Sequence, residues 1–491
     1  MDRGELPGYE FEVPRGPRHG GGPRPGYGYE PGYGYEPGYG YEPGYGYDSL
    51  RPLQNPPPPE PEVKSPVRVA SSGVLDIMRK RNWVMGLAVP ILAAIIVGIA
   101  VVVAAGGGGT GGQAPSALAA GFPPARAAGT VFTGAARIPA RVTLAAIGAS
   151  GGAEVTAGGV NGGPALWLSV DGGTDWARAV LAGPVTVTGP GTGQFTGVAR
   201  GPAGWLAVGT TFAAGGKPLV ASSANASTWT VETGVAALGS GTATAVAAGT
   251  AGYVIVGRQV AGGSSTAAAW YAPGLTGWSQ AAVAAAGRDT QVMNAVTVTG
   301  SGFVAVGGTG TSPAAWLSAT GKTWRQVQPP MPAGAARAGL DYVAANGSAV
   351  VAAGTAFTAA GVSSPFTEDS ADGGATWTQA ALPVPGAGTG TGAAVTALTA
   401  AGGGFTAVGT YVTQAGPEVV IWTLPPSDKV TDGAGWAAVT PQGTGLASTT
   451  SENAITAVTV DGATLTGVGF STGLTPAGQQ EPTLWQSPIR Y

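Results

Sequence analysis

A short glycine-bounded unit that recurs along the C-terminal part of the chain constrains this fold more than any other feature. Each clear copy holds a glycine, an aromatic residue, two small or aliphatic residues and then Val-Gly. The clear copies are Gly204–Gly209, Gly252–Gly257, Gly302–Gly307 and Gly404–Gly409. Weaker copies end at Gly159, Gly354 and Gly469. Since the unit recurs about every 50 residues, it indicates a repeat architecture in which each copy is one supersecondary element.

Each unit lies between other apolar runs that Gly, Thr, Ser and Pro clusters separate, a pattern typical of short strands. One run precedes the unit, a third follows it, and in all copies but the last a tryptophan opens a fourth. These tryptophans are Trp176, Trp229, Trp278, Trp324, Trp377 and Trp436. Four strands per repeat predict an all-β domain, a β-propeller of about seven blades. We expect Trp176, Trp229, Trp324 and Trp377 to be buried between blades.

The last repeat stops after Thr483-Leu484-Trp485 and lacks a fourth strand of its own. Propellers commonly close by taking this strand from the other end of the domain, which removes open sheet edges. The segment from Gly129 to Ile138, with Thr130-Val131-Phe132-Thr133, is the expected donor.

The turns before several of these tryptophans carry a second motif, Ser-x-Asp-x-Gly-x-Thr-Trp. Ser370–Trp377 matches it at every fixed position, and Ser169–Trp176 differs only where Asp175 replaces the threonine. Ser318–Trp324 is one residue shorter, and Ser223–Trp229 is degenerate. The motif residues are Ser169, Asp171, Gly173, Trp176, Ser318, Gly321, Trp324, Ser370, Asp372, Gly374 and Trp377.

On these residues the domain from 130 to 491 resembles the sialidase-like β-propellers that carry Asp-box (BNR) repeats. A short Ser or Asp side chain accepts backbone N–H bonds in such a turn, and glycine supplies a positive φ. The resemblance implies that the boxes are structural and lie in peripheral turns away from substrate. Asp171 and Asp372 are therefore poor candidates for catalysis.

The chain before this domain has a different composition. Residues 1–82 are rich in Pro, Gly, Tyr and Glu and repeat Pro-Gly-Tyr-Gly-Tyr-Glu in tandem from Pro25. With few aliphatic residues, this tail is predicted to be disordered. Its tyrosines are either contacts for a multivalent partner, phosphorylation sites or part of a solvated spacer.

A membrane span is predicted at residues 83–105, which contain no charged residue and are long enough to cross the hydrocarbon core. Arg79, Lys80 and Arg81 precede it, whereas the next Lys or Arg after it is Arg126. The positive-inside rule then places the tail in the cytoplasm and the propeller outside. Residues 106–129 are rich in Gly, Ala and Pro and are predicted to form a flexible stalk. A cleaved signal peptide is the competing interpretation.

Composition excludes several classes of chemistry. The chain has no cysteine, and its single histidine, His19, lies in the tail. The outer domain therefore cannot assemble a Ser-His-Asp triad or a His-ligated zinc site, and we expect no cofactor. A net charge of -3 argues against nucleic acid as a partner. The dominance of Ala, Gly, Thr and Val, with Arg in excess of Lys, is typical of GC-rich actinobacterial genomes.

The first functional hypothesis is a binding or scaffold propeller at the cell envelope, anchored in lipid through 83–105. Its partner is an unidentified protein or glycan at one propeller face. A purely structural envelope protein is not distinguished from it by the sequence. The second hypothesis is a sialidase-like glycoside hydrolase.

The hydrolase hypothesis depends on Arg137, because Ala136-Arg137-Ile138-Pro139 is similar to the family's Phe/Tyr-Arg-Ile-Pro motif without its aromatic residue. That arginine grips the carboxylate of sialic acid. Two more arginines, a tyrosine paired with a glutamate, and an aspartate are also required. Catalysis is ranked below binding, since no local motif supports a choice among the remaining candidates. These are Arg200, Arg258, Arg288, Arg325, Arg337, Tyr342, Glu368 and Glu418.

Overall fold

The computed structural model describes residues 126–127, 132–133, 142–213, 216–232, 235–239, 241–261, 264–284, 290–385, 392–413, 416–426, 435–439, 453–471 and 481–489. Across these ranges no helix is long and apolar enough to cross a membrane. The predicted tail, the span at 83–105, Arg137 and Arg288 lie outside them.

The described chain forms seven sheets, which we number as blades 1 to 7. The four main strands of each blade are antiparallel, and three blades carry an additional edge strand that pairs in parallel. Blade 1 contains β3 (Val142–Ser150), β4 (Ala153–Val160), β5 (Gly163–Ser169) and β6 (Trp176–Arg178), with β2 (Phe132–Thr133) at its edge. Blade 2 contains β8 (Gly193–Gly201), β9 (Gly204–Thr211), β10 (Pro218–Ser223) and β11 (Thr228–Glu232), with β7 (Val180–Ala182) at its edge. Blade 3 contains β12 (Gly241–Gly249), β13 (Gly252–Ala261), β14 (Ser264–Ala272) and β15 (Ser279–Gln280).

The remaining blades follow the same order from inner to outer strand. Blade 4 contains β17 (Gln291–Thr299), β18 (Gly302–Thr309), β19 (Ser312–Ser318) and β20 (Thr323–Val327), with β16 (Ala282–Val283) at its edge. Blade 5 contains β21 (Arg337–Asn346), β22 (Ala349–Phe357), β23 (Ser363–Ser370) and β24 (Thr378–Ala381). Blade 6 contains β25 (Ala393–Ala401), β26 (Gly404–Thr413), β27 (Gly416–Leu424) and β28 (Ala437–Val439). Blade 7 contains β29 (Asn453–Asp461), β30 (Thr464–Ser471), β31 (Glu481–Pro488) and β1 (Arg126–Ala127).

The structure is therefore the all-β, seven-bladed propeller that the repeat predicted. The helical turns among the described residues are short and lie between blades: α1 (Val185–Thr188) and a 3-10 turn (Ala236–Leu238).

The glycine that ends each repeat unit is explained by a bulge in the neighbouring inner strand. Every inner strand skips one residue in its pairing with the second strand, as between Ala243 and Ala245 in β12. The bulge brings a backbone carbonyl against the second strand, so a Cβ on Gly257 would lie 1.9 Å from the oxygen of Thr242. The same clash arises at the glycine of each blade, and in blade 1 that glycine is Gly158 instead of the predicted Gly159.

Seven apolar clusters fill the seven gaps between neighbouring blades. Trp176 is buried between blades 7 and 1, Trp229 between blades 1 and 2, and Trp324 between blades 3 and 4. Trp377 packs against the cluster of blades 4 and 5 but is only half-buried, so the prediction of a buried ring is wrong there. Trp485, from a third strand, is buried between blades 6 and 7.

The propeller closes with an N-terminal strand, but a different one from the strand predicted. β1 pairs antiparallel with β31, so that Arg126 lies opposite Leu484 and Ala127 lies opposite Thr483. The predicted donor β2 instead pairs in parallel with β6 of blade 1. The N-terminal segment therefore contacts both sides of the seam between blades 7 and 1.

Candidate functional site

Strand direction gives the propeller two distinct ends. The hairpins between second and third strands and the connections between blades lie at one end, which we call the hairpin face. The turns between first and second strands and the Asp-box turns lie at the other end, which we call the box face.

The two full Asp boxes form networks of hydrogen bonds on the box face. In the first, Ser169 Oγ donates to Asp171 Oδ1 at 2.7 Å and accepts the backbone N–H of Gly173 at 2.9 Å. Asp171 Oδ1 accepts the N–H of Asp175 at 2.9 Å. The backbone bond from Asp175 contributes most, and the bond from Ser169 next, to holding the pKa of Asp171 below its ordinary value. Trp176 Nε1 donates to Gly173 O at 3.0 Å and fixes the ring in its cluster.

The second full box repeats this network without the tryptophan bond. Gly374 N–H donates to Ser370 Oγ at 2.9 Å, and Thr376 Oγ1 donates to Asp372 Oδ2 at 2.7 Å. Trp377 Nε1 is buried without a hydrogen-bond partner among the described residues. The half-buried ring and the missing bond distinguish this box from the first.

The shortened boxes keep the same contacts with fewer residues. Gly321 N–H donates to Ser318 Oγ at 2.8 Å, and Trp324 Nε1 donates to Gly321 O at 3.0 Å. In the degenerate box Ala226 takes the glycine position at φ 61°, and its N–H donates to a serine hydroxyl at 2.8 Å. Asn225 Oδ1 accepts the N–H of Thr228 at 3.1 Å, so the turn geometry survives replacement of the aspartate by asparagine and of the glycine by alanine.

Those predicted hydrolase residues that the structure describes are not brought together. Arg200 is exposed at the box-face end of β8, and Arg325 is exposed on the outer strand β20. Arg258 and Arg337 lie near the hairpin face on blades 3 and 5, and Arg337 lies 4.7 Å from the centroid of the Phe357 ring.

Neither of the two tyrosine and glutamate pairs considered from the sequence forms. Tyr342 is paired with Ala353 and packs between blades 5 and 6. Glu368 is paired with Ala352, whose side chain lies in the cluster between blades 4 and 5. Paired residues share a face of the sheet, so Glu368 also faces blade 4, on the side of blade 5 opposite to Tyr342. Glu418 accepts the hydroxyl of Tyr411 instead, at 2.7 Å. Both residues flank the blade 6 hairpin, and their spacing in the sequence offers the only signal that would have paired them.

Among the described residues, the carboxyl groups of two glutamates, Glu154 and Glu368, are completely buried. Glu154 Oε1 accepts the hydroxyl of Thr466 at 2.8 Å across the seam between blades 1 and 7, while its Oε2 has no hydrogen-bond partner among the described residues. Burial raises the pKa of Glu154 to about 7. Burial, with a smaller effect of neighbouring Asp369, raises the pKa of Glu368 to about 8.

Bulged residues on five of the inner strands form a partial ring of polar side chains, here called the polar ring, that sequence reasoning missed. The bulged residue of β3 is Ala145, which has no polar side chain. Thr244 Oγ1 donates to Met293 O of the next blade at 2.7 Å, and Thr456 Oγ1 donates to Leu144 O at 2.6 Å. Thr196, Asn294 and Thr396 make equivalent bonds to the next blade. The ring ties inner strands together around the centre of the propeller.

Two cavities lie between blades 3, 4 and 5. A cavity of about 420 Å³ lies at the box face beside Phe303, Trp324 and Arg325. A smaller cavity of about 190 Å³ lies between blades 3 and 4 and is lined by polar residues that include Gln259, Thr266, Gln280 and Gln291. No group of three or more His, Cys, Asp or Glu residues in the described ranges is placed to hold a metal ion.

Exposed apolar side chains are concentrated on the hairpin face. Of the six large exposed hydrophobic residues in the described ranges, four lie in its hairpins and blade connections: Phe212, Val260, Met331 and Val362. They occupy neighbouring blades 2 to 5. The box face has Val170, while Val180 begins the edge strand β7.

The sequence matches no family model and no curated protein. Among solved structures it is similar to the Trypanosoma rangeli sialidase in complex with sialic acid, at 12% identity and TM-score 0.37, over 71% of this chain and 54% of that one. It is also similar to the intramolecular trans-sialidase from Ruminococcus gnavus in complex with oseltamivir carboxylate, at 12% identity and TM-score 0.37, over 71% and 94%.

A third similar structure is a thermostable family-43 glycoside hydrolase, at 9% identity and TM-score 0.32, over 74% of this chain and 93% of that one. This chain spans about half the length of the T. rangeli sialidase. At these identities and scores we draw no conclusion about activity or ligand from the likeness.

Proposed function

We propose that the protein is a membrane-anchored, extracytoplasmic propeller that binds an unidentified protein or glycan through its hairpin face. The observation that carries this proposal is the grouping of Phe212, Val260, Met331 and Val362 on neighbouring blades of one face. Exposed apolar side chains that gather on one face favour that face as the interaction surface.

The box face is the less suitable surface for a partner. Its turns are held by side-chain to backbone bonds such as those of Ser169 and Ser370, so the serine and aspartate side chains of its boxes are already engaged. We therefore assign the Asp boxes an architectural role. Anchoring through 83–105 and an outer location for the propeller stay part of the proposal, on the strength of the charge asymmetry around the span.

A sialidase-like glycoside hydrolase is the second candidate, favoured by the hydrogen bond between Tyr411 and Glu418 at the hairpin-face end of blade 6. A glutamate that accepts a tyrosine hydroxyl is positioned to activate it as a nucleophile. Hydrolysis also needs an acid across the sugar, and the described residues supply no carboxyl group shown to face this pair.

The deciding experiment assays the full chain in detergent against sialosides and aryl glycosides, beside binding to glycan and protein panels. We expect capture without turnover. Turnover that is lost in Arg137→Ala and Tyr411→Phe would establish the hydrolase instead. Turnover that survives in both variants would refute the binding proposal and also the assignment of Arg137 and Tyr411 to the hydrolase site.

A further inference from the structure

The seam between blades 7 and 1 is closed differently from the other six gaps of the propeller. At each of those gaps the chain runs directly from one blade to the next. At the seam, the N-terminal segment contributes the short strands β1, on blade 7, and β2, on blade 1, each of two residues. With so little backbone pairing, the seam depends on its side-chain contacts, and we expect it to open before the other gaps do.

Side-chain hydrogen bonds cross the seam at two heights. The bond from Thr456 belongs to the polar ring. Nearer the box face, Thr466 Oγ1 donates to Glu154 Oε1 at 2.8 Å, and Gln486 Nε2 donates to Gly172 O at 2.7 Å. The two bonds near the box face therefore tie β30 and β31 of blade 7 to β4 and the first Asp box of blade 1.

Glu154 is the titratable group in this contact, and burial disfavours a negative charge on it. It is 0% exposed, and its Oε2 has no hydrogen-bond partner among the described residues. Oε2 faces the first box, since a Cβ on Gly173 would lie 2.5 Å from Oε2 and 2.4 Å from Gln486 Nε2. A protonated carboxyl group fits this site, whereas an ionised one is poorly solvated there.

The groups around Glu154 add to this effect. The charged groups that act on it are Asp461, which ends β29 on blade 7, and Asp171 of the box, and both are carboxylates. Its partners in β3 and β5 are Ala149 and Ser169, neither of which titrates. Because Asp171 is exposed to solvent, the box-face end of the seam is where widening the gap brings water to an ionised Glu154.

We propose that the box-face end of this seam is a pH-sensitive latch. Protonated Glu154 holds it closed, and ionised Glu154 lets blade 7 separate from the first Asp box while the other six gaps stay closed. Since β1 and β2 lie on the two sides of the seam, its opening acts directly on the N-terminal segment that leads to the predicted span at 83–105. The inference does not depend on what the hairpin face binds.

The size of the effect follows from two protonation equilibria. Burial raises the pKa of Glu154 to about 7 in the closed seam, whereas water in the open seam restores its ordinary value of 4.5. The ratio of open to closed seam should then rise about 40-fold from pH 5 to pH 7, and only about twofold more by pH 9.

The test is hydrogen–deuterium exchange of the full chain in detergent, followed by mass spectrometry from pH 5 to pH 9 and corrected for intrinsic exchange rates. The seam is monitored by peptides that cover 169–176, 464–471 and 481–488. The reference is the box at 318–324, whose tryptophan packs between blades 3 and 4. Protection of the seam peptides should fall by the factors above, while protection of the reference peptide stays constant.

Three variants assign the pH dependence to one carboxyl group. Glu154→Gln does not titrate, so protection of its seam should be independent of pH. Thr466→Val keeps the acid but removes a donor that favours the charged form, so its seam should lose more protection at pH 9 than that of the unaltered protein. This second variant tests the latch even if Glu154→Gln fails to fold. Glu232→Gln, at a half-buried acid of blade 2, is the control and should leave the seam profile unchanged.

Seam protection that does not change with pH in the unaltered protein overturns the inference. An equal fall in the reference peptide overturns it as well, because the whole propeller would then be loosening. So does a pH dependence that persists in Glu154→Gln. Absence of capture on the glycan and protein panels would remove the proposed function without affecting this result.

Discussion

Glu154→Gln is expected to make the protein more stable at alkaline pH while leaving it almost unchanged at acidic pH. Glu154 lies in the seam between blades 7 and 1, where only one carboxyl oxygen has a hydrogen-bond partner among the described residues. Burial raises its pKa from 4.5 to about 7, and the Asp461 and Asp171 carboxylates add smaller contributions in the same direction. The folded protein therefore favours the protonated form.

The sign and size of the effect follow from this shift. The pKa of Glu154 is higher in the folded protein than in the unfolded chain. Its contribution to folding stability is therefore complete below pH 4.5 and is lost as the pH rises through 7. At about 1.4 kcal/mol per pKa unit, the whole loss is about 3 kcal/mol, of which about 2 to 3 kcal/mol falls between pH 5 and pH 9. Glutamine does not titrate, so the variant escapes this loss.

The assay is the free energy of unfolding of the full chain in denaturant at pH 5, 7 and 9. The difference between Glu154→Gln and the unaltered protein should grow by about 2 to 3 kcal/mol from pH 5 to pH 9. Glu232→Gln, at a half-buried acid, is the control and should show a smaller change. Parallel pH profiles for Glu154→Gln and the unaltered protein would refute the reasoning.

Three further predictions concern the box turns, the polar ring and the membrane topology. Gly173→Ala should cost about 1 kcal/mol more than Gly172→Ala, because both have positive φ but only at Gly173 would a Cβ displace the side-chain ends of Gln486, at 2.4 Å, and Glu154, at 2.5 Å; equal denaturation midpoints would contradict this. Thr456→Val should cost about 1 kcal/mol, since its hydroxyl bonds Leu144 O across the seam, and an unchanged unfolding free energy would show that the bond is dispensable. Protease added to intact cells should cut within 106–129 and release the propeller while an N-terminal tag stays protected; digestion of the tag would reverse the orientation.

The blades were predictable because their constraints are local in sequence. A clash between Cβ and a carbonyl fixes a glycine at Gly257 and its equivalents, and a turn that needs an acceptor fixes Ser169 and Asp171. The glycine recurs in all seven blades, and the serine of the box recurs in four of them. Periodicity alone therefore gave the number of strands per blade and the number of blades.

Features that depend on contacts between distant segments were not predictable in the same way. β1 has only two residues, and nothing in Arg126–Ala127 separates it from the predicted stalk before its pairing with β31 is known. Trp377 has a complete box yet remains half-buried, because ring burial depends on the neighbouring blade as well as on the turn. Small polar residues such as Thr244 carry no sequence signal until the bulges align them into a ring.

The candidate site was the least predictable part. Sequence reasoning grouped Tyr342 with Glu368 or Glu418, whereas strand register places Tyr342 and Glu368 on opposite sides of blade 5. Glu154 carried no signal in the sequence. Its burial at the seam is a property of the packed structure alone.

The central claim is that the hairpin face is the binding surface, and a comparison of variants on the two faces tests it most directly. The full chain is compared on glycan and protein panels with Phe212→Ser and Met331→Ser on the hairpin face, and with Val170→Ser on the box face. All three positions are exposed, so each variant should fold. We predict that capture falls at least tenfold in the two hairpin-face variants and is unchanged in Val170→Ser. Loss of capture in Val170→Ser alone would place the binding surface on the box face and contradict the account.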